Sequence, residues 1–511
     1  MSTEWNAGYV TDVNYTFGYY AELNPYRCRL PLMMAGRHAP NVENACELGF
    51  GQGLSVSIHA AAQPGVKWYG TDFNPAQAAF ATEMVRVSGA DAKLYDEAFA
   101  EFCNRADLPD FDFIGLHGIW TWISDANRAV LVDFIRHKLR PGGVLYISYN
   151  TLPGWSASAP IRHLMKRHAE VMGAQGQGVI SQIDAALNFM DEFLALDPIY
   201  ATANPGALNR LAHIKRLDRS YLAHEYMNRD WHPMYFADME NWLSDAKMGF
   251  ASSANTLDTL VELNMAPQQV EFLGKITDVS MRETLRDYCM NQQFRRDYWV
   301  RGVRPLTGHE QLAAIREERV VLVAPRSDMP TKVRGAANEA SLIPEVYEPV
   351  YEVLGDYKPH FVHEIEAGMA KRNLSFAQLT SALTILMAQG HIQPAAPAAD
   401  VSKAKARTSA MNKAIARRSL SSGDIAIFAS PVTGAGLTAS RFAQLFWLSK
   451  QNGGKAAADH AAYAWSVLQA QGQRIIKEGV MLEGDANLTE MQTQAEKWVE
   501  KTLPIWTALG V

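Results

Sequence analysis

The chain has 511 residues, 48% of them hydrophobic, and a net charge of −6, so it is too long for one core and is expected to form three or four domains. No apolar run approaches the roughly twenty residues needed to span a bilayer, and the first residues, MSTEWNAGYV, lack the basic and apolar regions of a secretory signal. Four cysteines without paired spacing argue against a disulfide framework and a zinc site and point to a reducing cytoplasm, while the absence of a dense basic block argues against extended nucleic-acid binding.

Residues 42–53, VENACELGFGQG, read as a strand, a tight turn and a helix start. Gly49, Gly51 and Gly53 alternate there, as a backbone needs when it must take up positive φ and let a ligand approach closely. The next apolar run, VKWYGTDF, ends at Asp72, about twenty residues beyond the glycines, where a Rossmann-like fold places a carboxylate for ribose hydroxyls. A third run, AKLYDEAF, carries Asp96 and Glu97, and a fourth, FDFIGLHG, ends at His117. A fifth, VLYISYN, follows a turn at Arg140–Gly143 and ends in Tyr149 and Asn150. Amphipathic stretches, PAQAAFATEMVRV and SDANRAVLVDFIRHKL with Ser124 as N-cap, alternate with these runs. The pattern predicts a parallel sheet with helices on both faces and ligand chemistry at the strand carboxyl ends.

A dinucleotide fingerprint would read GxGxxG; this chain has GxGxG with Glu47 two residues before it. That carboxylate suits a cationic ligand and would repel a pyrophosphate. These residues resemble the first motif of class I S-adenosylmethionine methyltransferases over about the first 150 residues. The resemblance implies an α/β Rossmann-like seven-stranded sheet and S-adenosylmethionine as cofactor. It would be held by Glu47, Gly49, Gly51, Gly53, Asp72, Phe73, Asp96, Glu97 and His117, with Asp72 on the ribose and Asp96 on the adenine amino group. LHGIWTW (116–122), SYNTLPGW (148–155), NYTFGYYAELNP (14–25), HEYMNRDW (224–231), QQFRRDYWVRG (292–302) and SPVTGAGL (430–437) look like the bacterial methyltransferases with a methyltransferase regulatory domain, a group that includes protein lysine methyltransferases acting on surface proteins.

On this reading residues 1–157 form the first part of a discontinuous methyltransferase domain. Residues 158–231 form a helical insertion that serves as an active-site cover or a homodimer contact. Residues 232–304 complete the sheet, with a helix, a turn at Gly249 and a strand at the start of that segment. Residues 305–395 form a winged-helix-like domain whose recognition-type helix, after Ser375, carries no Arg or Lys and so suggests protein interaction. The stretch 394–410, PAAPAADVSKAKARTSA, is expected to be a mobile linker, and 411–511 a mainly helical domain without an assignable chemical constellation.

Methyl transfer is an in-line displacement that needs alignment and a free lone pair, and no metal. Three outcomes stay open: methylation of lysine amines of a protein, methylation of a small molecule or glycan, or a non-catalytic cofactor-binding scaffold. Tyr149, Asn150 and His117 are the candidate catalytic residues; His117 could equally orient the acceptor or only hold a turn. Tyr19, Trp120, Trp122 and Trp155 are the candidate acceptor-binding residues, because aromatic faces favour cationic groups. Plain packing is the alternative for each ring. Tyr15, Tyr19 and Tyr20 form a cluster that would fold over the cofactor.

Overall fold

A computed structural model of the chain describes residues 8–511 apart from 12, 14, 174, 175 and 177; Asn14, the first residue of the 14–25 motif, lies outside the described residues. The five expected runs form strands β1 (Asn44–Leu48), β2 (Lys67–Thr71), β3 (Ala92–Tyr95), β4 (Phe111–Leu116) and β5 (Leu139–Asn150), and β6 (Met248–Ser253) and β7 (Phe294–Arg301) complete one sheet in the order β3-β2-β1-β4-β5-β7-β6. The first five are parallel, and β7 runs antiparallel between β5 and β6. The helices Pro75–Ser88 and Asp125–Lys138 stand where the helical period places them, and Ser124 Oγ caps the second by accepting from Asn127 N at 3.3 Å.

Two local expectations shift. Arg140–Gly143 lies inside β5, because the ladder slips between the Phe111–Leu139 and Phe113–Val144 pairs and absorbs the extra residues, with Gly142 at φ 81°. Gly249 lies within β6, and the turn before it is made at Lys247, φ 59°, which relieves the glycine of that task.

Residues 158–231 are helical, with Ala159–Met172, Val179–Leu194, Ile199–Ala203, Pro205–Ile214 and Arg219–Tyr226 packed around Ile161, Met165, Ile183, Leu187 and Leu222. Beyond the sheet, helices Pro344–Leu354, Val362–Ala370 and Phe376–Ala388 pack on a small sheet in which Arg319–Leu322 lies between His360–Phe361 and Ile392–Pro394. The apolar third helix of this winged-helix-like unit is turned into the protein. Its Thr384 and Met387 carbonyls accept from Thr256 Oγ1 (3.1 Å) and Arg27 Nη2 (3.2 Å).

The stretch expected to be a mobile linker is instead most of one helix, Ala398–Arg418. Its buried residues, Ala404, Thr408, Met411, Asn412, Ile415 and Ala416, recur at helical spacing. They pack the helix onto Leu54–Ala62 and Pro75–Ser88 of the first domain. Small side chains here permit close helix approach, so low bulk marks a tight contact and not a flexible segment. The remaining chain is mainly helical, with a hairpin of Ile427–Ser430 and Ala435–Thr438.

Candidate active site

The turn after β1 holds Gly49, Gly51 and Gly53 at φ 72°, 57° and 66°. At Gly49 a Cβ would strike Ile119 Cδ1 at 2.4 Å, whereas at Gly51 it would meet nothing nearer than Gln77 Oε1 at 4.0 Å. Both residues line a cavity of about 590 Å³ at the carboxyl ends of the strands, a size typical of small-ligand sites. Gly53 does not line it; this residue starts the helix Leu54–Ala62 and lies against Ala81.

Glu47, next to last in β1, and Asp72, just after β2, stand on the cavity wall. Asp72 Oδ2 accepts from Gly51 N at 2.8 Å and Oδ1 from Asn74 N at 3.0 Å, which tie the carboxylate to the glycine turn. Burial raises it to about 6 in spite of these bonds. Burial, then the neighbouring Asp72 charge, raises Glu47 to about 8, and its Oε2 is buried with no partner. Glu97 also reaches the cavity, with Oε1 paired to Arg105 Nη1 at 2.6 Å and Oε2 buried and unpartnered. Phe73 lines the wall beside it, edge-on to Tyr9. Asp96, expected on the adenine side, is exposed and outside the cavity, because β3 ends at Tyr95 and the chain turns Glu97 inward.

His117 lines the cavity just past β4. Its Nδ1 lies 2.7 Å from the Tyr146 hydroxyl, Tyr20 stacks on its ring at 3.5 Å, and burial holds its basicity down to about 4. The imidazole is therefore neutral at pH 7 and anchored, which suits a wall or orienting group better than a base.

Tyr149 and Asn150 part company. Side chains alternate across a strand, so Tyr146 and Ser148 of β5 face His117 and Gly118 while Leu145, Ile147 and Tyr149 enter the opposite core. Asn150 lines the cavity. Tyr149 is buried against an ionic cluster, donating to Asp297 Oδ2 at 3.0 Å, and Arg295 binds Asp297, Asp287 and Glu283 there. It is not a cavity residue.

The tryptophans divide similarly. Trp122 and Trp155 line the cavity and meet Trp231 at 6.4 and 5.0 Å between centroids, while Trp120 is fully buried in the core with Nε1 on Met234 Sδ at 3.3 Å. Tyr19 also misses the cavity: its hydroxyl accepts from Gly436 N at 2.8 Å and lies 3.0 Å from His59 Nε2, joining the C-terminal hairpin to the first domain.

Described residues of the N-terminal segment line the cavity and are tied to the insertion and the first domain. Gly8 O accepts from Arg229 N (3.0 Å), Val10 N donates to Asn228 Oδ1 (2.8 Å), His224 Nε2 meets Val13 O (3.0 Å) and Tyr20 N donates to Ser55 Oγ (2.9 Å). Tyr9, Tyr15 and Tyr20 thereby join Tyr221, Glu225, Arg210 and Phe294 on the wall. Tyr9, Tyr221 and Arg210 carry no local motif in the sequence. The tyrosine density near the start and the HEYMNRDW and QQFRRDYWVRG stretches, which hold Glu225 and Phe294, hint at this side of the site. Among the described residues no group of three or more His, Cys, Asp or Glu is arranged to hold a metal.

A family model for a predicted methyltransferase regulatory domain matches residues 218–301, from the last helix of the insertion through β7. The uncharacterised protein sll1526 of Synechocystis is 37% identical over 512 residues, 99% of each chain. The chain belongs to the class I S-adenosylmethionine-dependent methyltransferases that carry a methyltransferase regulatory domain. A second relative, the uncharacterised protein RP789 of Rickettsia prowazekii, is 30% identical over 283 residues, 54% of this chain and 49% of that protein. In fold, this methyltransferase resembles PKMT2 from Rickettsia typhi in complex with AdoHcy, with a TM-score of 0.70 and 16% identity over 97% of this chain and 100% of that one. The uncomplexed PKMT2 structure gives 0.68. The unpartnered Oε2 atoms of Glu47 and Glu97 and the open face of Gly51 fit the family's cofactor, which carries cationic groups and an amino donor.

Proposed function

We propose that this methyltransferase transfers the methyl group of S-adenosylmethionine to lysine side-chain amines of a protein. Asp72 would hold the ribose hydroxyls, Glu47 the cationic end of the cofactor, and Glu97 in place of Asp96 the adenine amino group. When bound, the cofactor supplies a sulfonium methyl open to displacement by an amine lone pair. The observation that carries the acceptor assignment is the single cavity that runs from Glu47 and the glycine turn to Trp122, Trp155, Tyr20 and Phe294. A lysine amine has a reference pKa near 10.4, which leaves roughly one in 2,500 neutral at pH 7, and an enclosed aromatic wall lowers that barrier by disfavouring the charged form. Asn150, on the same wall, can orient the nitrogen through its amide. Likeness along the whole chain to PKMT2, a protein lysine methyltransferase, also supports the reading.

The test is to incubate the protein with tritiated S-adenosylmethionine and a cell lysate, then separate protein from small molecules. Label in protein, with methyl increments on lysine by mass spectrometry, is expected. Label confined to a metabolite or a glycan would replace this reading with the small-molecule one, and an absence of transfer would leave a cofactor-binding scaffold.

A further inference from the structure

On the helix Arg219–Tyr226, Tyr221 and Glu225 lie one turn apart and both line the cavity. Glu225 is half-buried and lines the cavity. Five tyrosine hydroxyls, those of Tyr9, Tyr15, Tyr20, Tyr221 and Tyr226, lie close enough to feel its charge. The cations beside it are Arg162 and Arg210, and both favour its charged form. Arg162 donates to the main-chain carbonyls of Glu225 (2.9 Å) and Asn228 (3.0 Å) and lies 4.6 Å over Trp231, and Arg210 lies 4.7 Å over Trp155. Of the other groups on this side, Asp230 is paired to Arg229 at 3.0 Å, His224 is bound to the Val13 carbonyl, and His117 is held against Tyr146.

We propose that Glu225 receives the ammonium group of the acceptor and takes its proton, with the rings of Tyr15, Tyr20 and Tyr221 around the cation. The proton-transfer part rests on the lysine reading above. An N–H bond of the ammonium breaks and leaves its electron pair on nitrogen as the lone pair. The carboxylate becomes a carboxyl group, and the proton then passes to solvent. A half-buried carboxylate among aromatic rings favours an alkylammonium and disfavours an anionic acceptor. Burial outweighs the two arginines and raises Glu225 to about 7, where a carboxylate can both accept and release a proton at neutral pH.

The probe is n-butylammonium, titrated by calorimetry into the full-length protein saturated with S-adenosylhomocysteine. Saturable binding is expected, strengthening as pH rises through about 7 and the carboxylate forms. Glu225→Gln should weaken it at least about tenfold while leaving S-adenosylhomocysteine affinity unchanged, a check that the variant is folded. With lysate protein as acceptor, the same variant should slow methyl incorporation on the order of 100-fold. Equal butylammonium affinity in wild type and variant, or an affinity that is flat between about pH 6 and 8.5, overturns the inference, and the second measurement needs no variant. Methyl-lysine formed by the wild-type protein would still uphold the lysine reading in that case. Butylammonium binding that depends on Glu225 in a protein that forms no methyl-lysine would instead remove the lysine reading and leave the ammonium site.

Discussion

Tyr20 lies flat on His117, ring centroids 3.5 Å apart and planes 21° apart, so the N-terminal segment is clamped to the end of β4. The stack and the surrounding burial explain why the imidazole is depressed to about 4. Removing the ring in Tyr20→Ala should open His117 to water, and its titration by NMR should move up toward the ordinary range near 6.5. Cofactor affinity should fall by about 1 kcal/mol if the segment helps close the site, with Tyr20→Phe near wild type.

Asp72 accepts from two backbone amides of the glycine turn and its neighbour. Asp72→Ala should therefore lose both the ribose acceptor and the support of the turn. A loss of at least about 2 kcal/mol, or roughly 30-fold in Kd for S-adenosylhomocysteine, is expected by calorimetry. Saturable binding of NAD with no response to the sulfur cofactor would contradict the assignment.

Tyr149 and Asn150 make a paired comparison because they point to opposite faces of one strand. Tyr149→Phe should leave turnover and cofactor affinity unchanged and cost about 1 kcal/mol of stability in denaturant unfolding, since only its bond to Asp297 is lost. Asn150→Ala should lower turnover with little change in stability. The reverse pattern would place the tyrosine in the site after all.

The carboxylates of the empty cavity set a pH dependence. Glu47, Asp72 and Glu225 stand at about 8, 6 and 7 in the folded chain, all above the ordinary range near 4. A raised carboxylate contributes stability that is full below its unfolded pKa and is lost as pH climbs through its folded one. The cofactor-free protein should thus lose thermal stability between about pH 4.5 and 8, measured by calorimetric Tm, with the share of Asp72 gone first and that of Glu47 last. S-adenosylmethionine, by placing positive charge near Glu47, should narrow that loss and release protons on binding. A cofactor-free Tm that rises over this interval would refute the account.

Shortening the chain after Arg304 should not give a soluble methyltransferase domain. Leu54, Ile58, Ala61 and Met84 share one apolar cluster with Met411, Ile415, Phe428 and Leu445, and removal of 305–511 would bare that face to water. Aggregation on size-exclusion chromatography is expected. A monodisperse product that binds S-adenosylhomocysteine would show the two halves to be independent.

The turn glycines, Glu47, Asp72 and the alternation of strand and helix through Asn150 were legible in the sequence, because positive φ, strand period and helix period are local properties. That only one of Tyr149 and Asn150 could face the cavity was also locally encoded, since adjacent residues of one strand point to opposite faces. Which of them faced it depended on the pairing of β5 with β4 and β7. Asp96 and Glu97 were distinguished only by where β3 stops, and Trp120 and Trp122 by the short 3-10 turn that points one into the core. Small residues in 394–410 looked like a linker until the partner helices Leu54–Ala62 and Pro75–Ser88 were in place to receive the helix that contains most of them. Glu225 and Tyr221 are separated from the glycine turn by well over a hundred residues. No local pattern joins them to it. Only the packing of the insertion and the N-terminal segment over the strand ends makes them neighbours, because burial and proximity belong to the assembled fold.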